Sequence, residues 1–203
     1  MKLTKLLERL KYEVVQGSDQ IEVGELINDS RKVSEGSVFV CIRGAVSDGH
    51  AYVGEVAAKG GAAVIVEREV ETPEGLTVIR VEDTRYALAL MSAAYFGYPA
   101  EKLKVIGITG TKGKTTTTYM VKSILEEVGH KVGLIGTIEA LIQDQAIPAS
   151  NTTPESYTIQ KYFAQMVEAG CDSVVMEVSS QGLMLHRTAG IPFEIGIFTN
   201  LGE

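Results

Sequence analysis

Residues 104 to 118, Lys-Val-Ile-Gly-Ile-Thr-Gly-Thr-Lys-Gly-Lys-Thr-Thr-Thr-Thr, hold the densest run of chemistry-bearing side chains in the sequence. An apolar β-branched stretch from Val105 to Ile108 breaks at Gly110 and Gly113, and Lys114-Thr115 then opens a segment with helical periodicity. A strand, a glycine-rich turn and a helix N-terminus in that order suit a polyphosphate. Glycines let backbone N–H groups converge on the anion, and the helix dipole favours its charge. The candidate phosphate loop is therefore Gly110, Thr111, Lys112, Gly113, Lys114, Thr115 and Thr116. Lys114 is placed to reach the terminal phosphates, and the Thr115 hydroxyl to complete a Mg²⁺ shell. The general pattern G-x-x-x-x-G-K-[ST] wants glycine at position 108, where this chain has Ile108 with glycines at 107 and 110, so the loop is a variant. The bland alternative is a glycine-rich turn that binds nothing.

Four further groups carry polar chemistry. Ser173 to Val178 reads as a buried strand bearing an acid near its end. A carboxylate there sits on the rim where parallel sheets bind ligands, so Glu177 is a candidate for Mg²⁺ opposite Lys114 and Thr115. Its alternative is a strand-end acid facing water. Asn151, Thr152 and Thr153 offer donors at a helix start, or an ordinary cap. Ser179 and Arg187 follow the acid, and Arg187 could clamp a carboxylate or phosphate or serve only as a solvated or structural side chain. Asp29-Ser30-Arg31 reads as a solvated turn. His50, His130 and His186 lack metal-ligand spacing.

The elements that must position these groups alternate between strand and helix. Leu3, Leu6, Leu7 and Leu10 share a helical face, so residues 3 to 11 read as a short amphipathic helix over a sheet edge. Ile21 to Leu26, the polar run Asn28 to Lys32, and a strand from Ser37 to Ile42 follow. Arg43 to His50 is loop-like, and the spacing of Tyr52, Val53, Val56 and Ala57 is helical up to Gly60-Gly61. Ala62 to Val66 and Leu76 to Val81 read as strands, and Thr84 as the cap of a helix that ends at Gly97-Tyr98-Pro99. A helix from Lys114 to Val128, a strand from Lys131 to Ile135 completing a βαβ unit, and a hairpin turning at Gln143-Asp144 come next. Pro154 and Glu155 suit the first turn of a helix running to Gly170, Ser179 to Gly182 reads as a polar turn, and Glu194 to Thr199 as a last strand.

The expected fold class is α/β, with a compact domain over 1–100 and a mainly parallel-sheet, phosphate-loop domain over 101–203. Across 203 residues, 45% hydrophobic content supports buried cores, and a net charge of −7 with no basic run argues against a nucleic-acid or membrane-surface binder. Cys41 and Cys171 are too few for a disulfide framework and read as buried thiols of a reducing, cytoplasmic compartment. Neither a membrane span nor a signal-peptide core is readable.

Taken together the motifs resemble the Mur ligases, in particular their UDP-N-acetylmuramoyl-tripeptide synthetase (MurE-type) branch. Gly110 to Thr116 looks like the family's G-T-N-G-K-T-T loop, which tolerates an apolar residue where the general motif has its first glycine. Asp29-Ser30-Arg31, Phe39 to Gly44 with Asp48-Gly49-His50, Asn151 to Glu155, and Met176 to Ser180 match in order. The resemblance implies a UDP-muramoyl-substrate domain followed by an incomplete ATP-binding central domain. It implies that Asn28, Ser30, Ala45, Val46 and Ser47 bind the uridine nucleotide, and that Asn151, Thr152, Thr153, Ser179 and Arg187 hold the muramoyl-dipeptide. Thr115 and Glu177 would serve magnesium, and Lys114 and Glu177 catalysis.

The implied reaction uses ATP and Mg²⁺ to join a diamino acid, diaminopimelate ahead of lysine, to UDP-N-acetylmuramoyl-L-Ala-D-Glu through an acyl phosphate, in a monomer. Three positions depart from the family: Lys112 for asparagine, Gln181 for histidine, and Leu185 for a polar contact. Relatives also continue past Asn200-Leu201 into an Asp-His motif and a third domain, so the chain alone is expected to be an incomplete catalyst. The alternatives are a nucleotide- or UDP-sugar-binding module without ligase chemistry, and a folylpolyglutamate synthetase, against which the Asp29 to His50 segment argues.

Overall fold

The structure, a computed structural model, describes residues 1–202, and Glu203 at the end of the second expected domain lies outside them. The chain divides into two compact units, Met1–Tyr95 and Phe96–Glu203.

The first unit contains α1 (Leu3–Leu7), β1 (Glu13–Gln16), β2 (Leu26–Ile27), β3 (Val38–Val40), α2 (Val53–Ala58), β4 (Ala63–Val66), β5 (Thr77–Arg80) and α3 (Thr84–Tyr95). Its sheet runs β1-β5-β4-β3-β2, with β2 to β5 parallel and β1 antiparallel at one edge. Every residue of β3 and β4 is buried, as parallel strands covered on both faces require. Two expectations change here. The opening helix stops at Leu7, and its buried Leu3, Leu6 and Leu7 pack with α3 instead of covering a sheet edge. Thr84 does not cap α3. Asp83 takes the Tyr86 N–H at 2.8 Å, while the Thr84 amide and hydroxyl both donate to the Glu67 carboxylate.

The second unit contains β6 (Lys104–Thr109), α4 (Lys114–Glu127), β7 (Val132–Ile135), β8 (Glu139–Ile142), β9 (Gln145–Pro148), α5 (Ser156–Glu168), β10 (Ser173–Glu177), α6 (Ser180–Met184) and β11 (Phe193–Phe198). Sheet order is β11-β6-β10-β7-β8-β9. The first four strands in that order are parallel and the hairpin β8-β9 adds an antiparallel edge. The expected crossover from β6 through α4 to β7 exists, but β10 lies between its two strands. Period-two alternation divides the core. Val105, Val174 and Met176 face Ile159, Phe163 and Met166 of α5, whereas Ile106, Ile108 and Val175 face Val121 and Leu125 of α4. Burying each of those α5 side chains contributes about 1.5–3 kcal/mol.

Three further differences concern the site. The helix expected to begin with Pro154 starts at Ser156, with Glu155 at its N-cap making no side-chain cap bond. Ser179 to Gly182 is no open turn: Ser179 accepts the Gly182 N–H at 3.0 Å and caps α6. Both cysteines are free and buried, and burial pushes the Cys41 thiol up to about 12.

Candidate functional site

In the second unit, β6 turns into α4 through Gly110 at φ +137° and Gly113 at φ +83°, conformations that side chains with a Cβ rarely adopt. The first intrahelical bond of α4 comes from Thr117 N–H to the Gly113 carbonyl at 3.0 Å. The amides of Lys114, Thr115 and Thr116 therefore have no acceptor within their own helix and lie at its positive end. Lys114 is folded back over the loop, its Nζ donating to the Gly110 carbonyl at 2.8 Å and lying 3.4 Å from that of Thr111.

Glu177 ends β10 beside this loop and is 1% exposed. Its Oε1 accepts the Thr137 N–H at 2.8 Å, and its Oε2 lies 3.1 Å from the Thr115 hydroxyl and 3.0 Å from that of Thr137. The reading of Glu177 as a solvent-facing strand-end acid is thus excluded by its burial. A hydroxyl has one proton to give, and that of Thr137 has two acceptors at 3.0 Å, the Glu177 carboxylate and the Thr152 hydroxyl, of which the charged one is the stronger. Thr137 was not singled out from sequence. Its one signal is the Gly136-Thr137 step directly after the buried strand β7, which becomes informative only once β7 and β10 are known to be neighbours.

The segment before α5 is tied to the same rim. The Thr153 hydroxyl donates to the Glu177 carbonyl at 3.0 Å and accepts the Ser179 N–H at 2.9 Å, so it ties the segment before α5 to the end of β10 and the start of α6. Asn151 is exposed and lines a cavity of about 80 Å³ with Gly136, Pro154 and Glu155. Arg187 is 11% exposed in its side chain. It donates to the Thr153 carbonyl at 2.9 Å and pairs with Glu155 at 2.5 Å, and its buried Nε has no partner among the described residues. Of the expected residues here, Thr115, Thr152, Thr153, Ser179 and Arg187 are joined to Glu177 directly, through Thr137 or through one another, while Lys114 stays over the loop on the Gly110 and Thr111 carbonyls. Gly110, Thr111, Lys112, Gly113 and Thr116 complete the loop.

In the first unit, the expected residues follow the carboxyl ends of the neighbouring parallel strands β2 and β3. Asn28 is exposed. Ser30 begins a 3₁₀ turn, and its carbonyl accepts Lys59 Nζ at 2.9 Å. Side-chain hydrogen bonds from Arg31 draw the Asp29 carboxyl down to about 2. Ala45, Val46 and Ser47 stand on an exposed loop closed by the Gly44 N–H to the Ser47 carbonyl at 2.9 Å, with the Ser47 hydroxyl 2.9 Å from Tyr52 Oη. Among the histidines, His50 is structural. Its Nε2 accepts the Glu67 N–H at 3.1 Å, so Nδ1 carries the proton and donates to Asp48 at 2.6 Å.

A parallel α/β unit with polar loops on its carboxyl rim, followed by a second unit whose strand-loop-helix junction faces a buried acid, defines a phosphate-loop protein of two α/β parts. Comparison with known proteins narrows this. The description "Mur ligase middle domain" matches residues 108–203, and "Mur ligase family, catalytic domain" matches residues 22–96. The chain belongs to the Mur ligase family, of which it carries the N-terminal and middle domains. A relative from Clostridium perfringens named UDP-N-acetylmuramoyl-L-alanyl-D-glutamate--2,6-diaminopimelate ligase is 50% identical over 99% of this chain and 42% of its own length. A solved structure of a ligase with that same name superposes with a TM-score of 0.82 at 22% identity, over 100% of this chain and 41% of that one. A MurF ligase from Thermotoga maritima in complex with ADP gives a TM-score of 0.56 at 24% identity, over 88% of this chain and 38% of that one. The chain thus spans about two fifths of the length of the relatives it matches.

Proposed function

We propose that this chain supplies the UDP-substrate-binding and ATP-binding parts of a cytoplasmic ligase of peptidoglycan precursor synthesis. The ligase adds diaminopimelate to the D-glutamate of UDP-N-acetylmuramoyl-L-Ala-D-Glu. The carrying observation is the buried Glu177 carboxylate, fixed by Thr137 and 3.1 Å from the Thr115 hydroxyl at the mouth of the phosphate loop. The name of the relative from Clostridium perfringens supports the choice of substrates. In this reading residues 1–100 take the uridine nucleotide through Asn28, Ser30 and the loop 45–47, and residues 101–203 take ATP.

Two oxygen donors that close, one of them charged, fit Mg²⁺. When bound, the ion neutralises charge on the nucleotide's phosphates. The chain's own residues do the rest. Amides at the start of α4 cradle the anion, and Lys114 leaves the carbonyls of Gly110 and Thr111 to meet the terminal phosphate. The terminal phosphoryl group passes to the side-chain carboxylate of the D-glutamate with ADP leaving, and the incoming amine then attacks the acyl carbon of the resulting acyl phosphate, forming the amide as inorganic phosphate departs. Asn151 and Thr152 line the approach for the dipeptide. Arg187, already committed to Thr153 and Glu155, acts by holding that segment in place.

Titration calorimetry with UDP-N-acetylmuramoyl-L-Ala-D-Glu and, separately, with MgADP tests the reading. Both are expected to bind one to one, and failure of both would sink it. The Arg187→Ala variant is expected to weaken the UDP-substrate about tenfold, because Thr153 and Asn151 lose their support, while MgADP affinity stays within twofold. An unchanged substrate affinity would remove Arg187 from the site.

A further inference from the structure

The phosphate loop does not stand by itself: the chain leaving β11 is strapped across it. The Thr111 N–H donates to the Asn200 carbonyl at 3.0 Å, and the Lys112 N–H to Asn200 Oδ1 at 3.1 Å. Asn200 Nδ2 donates back to the Lys112 carbonyl at 3.0 Å, which also takes the Thr199 hydroxyl at 2.7 Å. The Gly202 N–H closes the array on the Thr111 hydroxyl at 2.9 Å. One side-chain amide therefore reads both polar groups of a single peptide residue, as a strand partner would. Contact is tight enough that a Cβ on Gly110 would come within 2.1 Å of Thr199 Oγ1 and 2.9 Å of the Asn200 carbonyl oxygen.

We propose that Thr199 and Asn200 are positioning residues that preset the phosphate loop for nucleotide. The strap consumes the amides of Thr111 and Lys112, so the loop offers an incoming polyphosphate the amides that begin α4. Because Asn200 grips the main chain of residue 112, the Lys112 side chain is left exposed and its identity does not enter the grip. The departure from the family's asparagine at that position is accommodated for this reason. Presetting lowers the ordering that binding must otherwise impose, and this deepens the reading of the loop as the ATP site, on which it rests.

The test uses the 203-residue chain and its Asn200→Ala and Asn200→Asp variants, with ADP and Mg²⁺ as the ligand and amide hydrogen exchange as the second readout. In the unliganded wild type the Thr111 and Lys112 amides are expected to exchange slowly, and at least about tenfold faster in Asn200→Ala. ADP affinity is expected to fall about tenfold in Asn200→Ala, for the loss of two hydrogen bonds, with thermal unfolding little changed. Asn200→Asp is expected to fall further, since its second acceptor opposes the Lys112 carbonyl and its charge opposes the phosphates. Unchanged exchange in Asn200→Ala overturns the strap. Faster exchange with ADP affinity within twofold of wild type overturns its role in binding. A wild type that binds no ADP sinks the nucleotide reading, and with it the binding role, while the exchange measurement still judges whether the strap holds the loop.

Discussion

Replacing Glu177 by alanine is expected to weaken MgADP binding about a hundredfold while leaving metal-free ADP affinity within a fewfold of wild type. The carboxylate is 1% exposed and takes three hydrogen bonds, two from Thr137 and one from Thr115. Bonds to a charged acceptor are worth about 1.5–3 kcal/mol each, and a hundredfold corresponds to about 2.7 kcal/mol. Alanine deletes the carboxylate that stands beside Thr115, so a divalent ion there loses its anionic partner and the nucleotide loses the benefit of the ion. Glu177→Gln keeps the shape and the contacts of one oxygen, and isolates the charge. Calorimetry with and without Mg²⁺ reads the difference directly. If the Mg²⁺ dependence of the alanine variant matches that of wild type, Glu177 has no part in holding the ion.

The second large effect is on stability. Phe163→Ala is expected to lower the unfolding free energy of the second unit by about 3–5 kcal/mol, measured by urea titration. Phe163 is fully buried on α5, in one cluster with Val105, Val174 and Met176 of the central strands. Those strands end at the phosphate loop and at Glu177, so the ring lies beneath the frame that spaces them. A loss below about 1 kcal/mol would mean that α5 repacks freely and does not fix that spacing.

The sequence made much of this legible where the pattern was strong. Val105 to Ile108 followed by Gly110, Gly113 and Lys114 signalled strand, turn and helix because each local signal agreed with the next. Glu177 was legible because it ends an unbroken apolar run. Strand β1 was not, since Val14 and Val15 are both exposed and their pairing with β5 is made by backbone bonds, which leave no hydrophobic alternation to read. Helix α6 was hidden by Ser179, Ser180 and Gly182, residue types that serve turns and caps alike. Thr137 and Asn200 were invisible for a different reason. Each acts through one or two bonds to residues 40 or 88 positions away, and no local pattern records such a distance.

The place of β10 between β6 and β7 also sets the order in which the protein can be assembled. When the ribosome has released β6, α4 and β7, the two strands have no ladder to form with each other, because their shared partner has not been made. The phosphate loop exists at that moment as sequence on an open template. Only when Ser173–Glu177 enters the gap do the strands acquire a common register, and the same strand carries the acid of the proposed nucleotide site. Pairing across such separations is slow, because the closing of a long loop must precede its contacts. Folding of the second unit and assembly of the proposed nucleotide site are therefore expected to coincide, because both need β10 in place between β6 and β7.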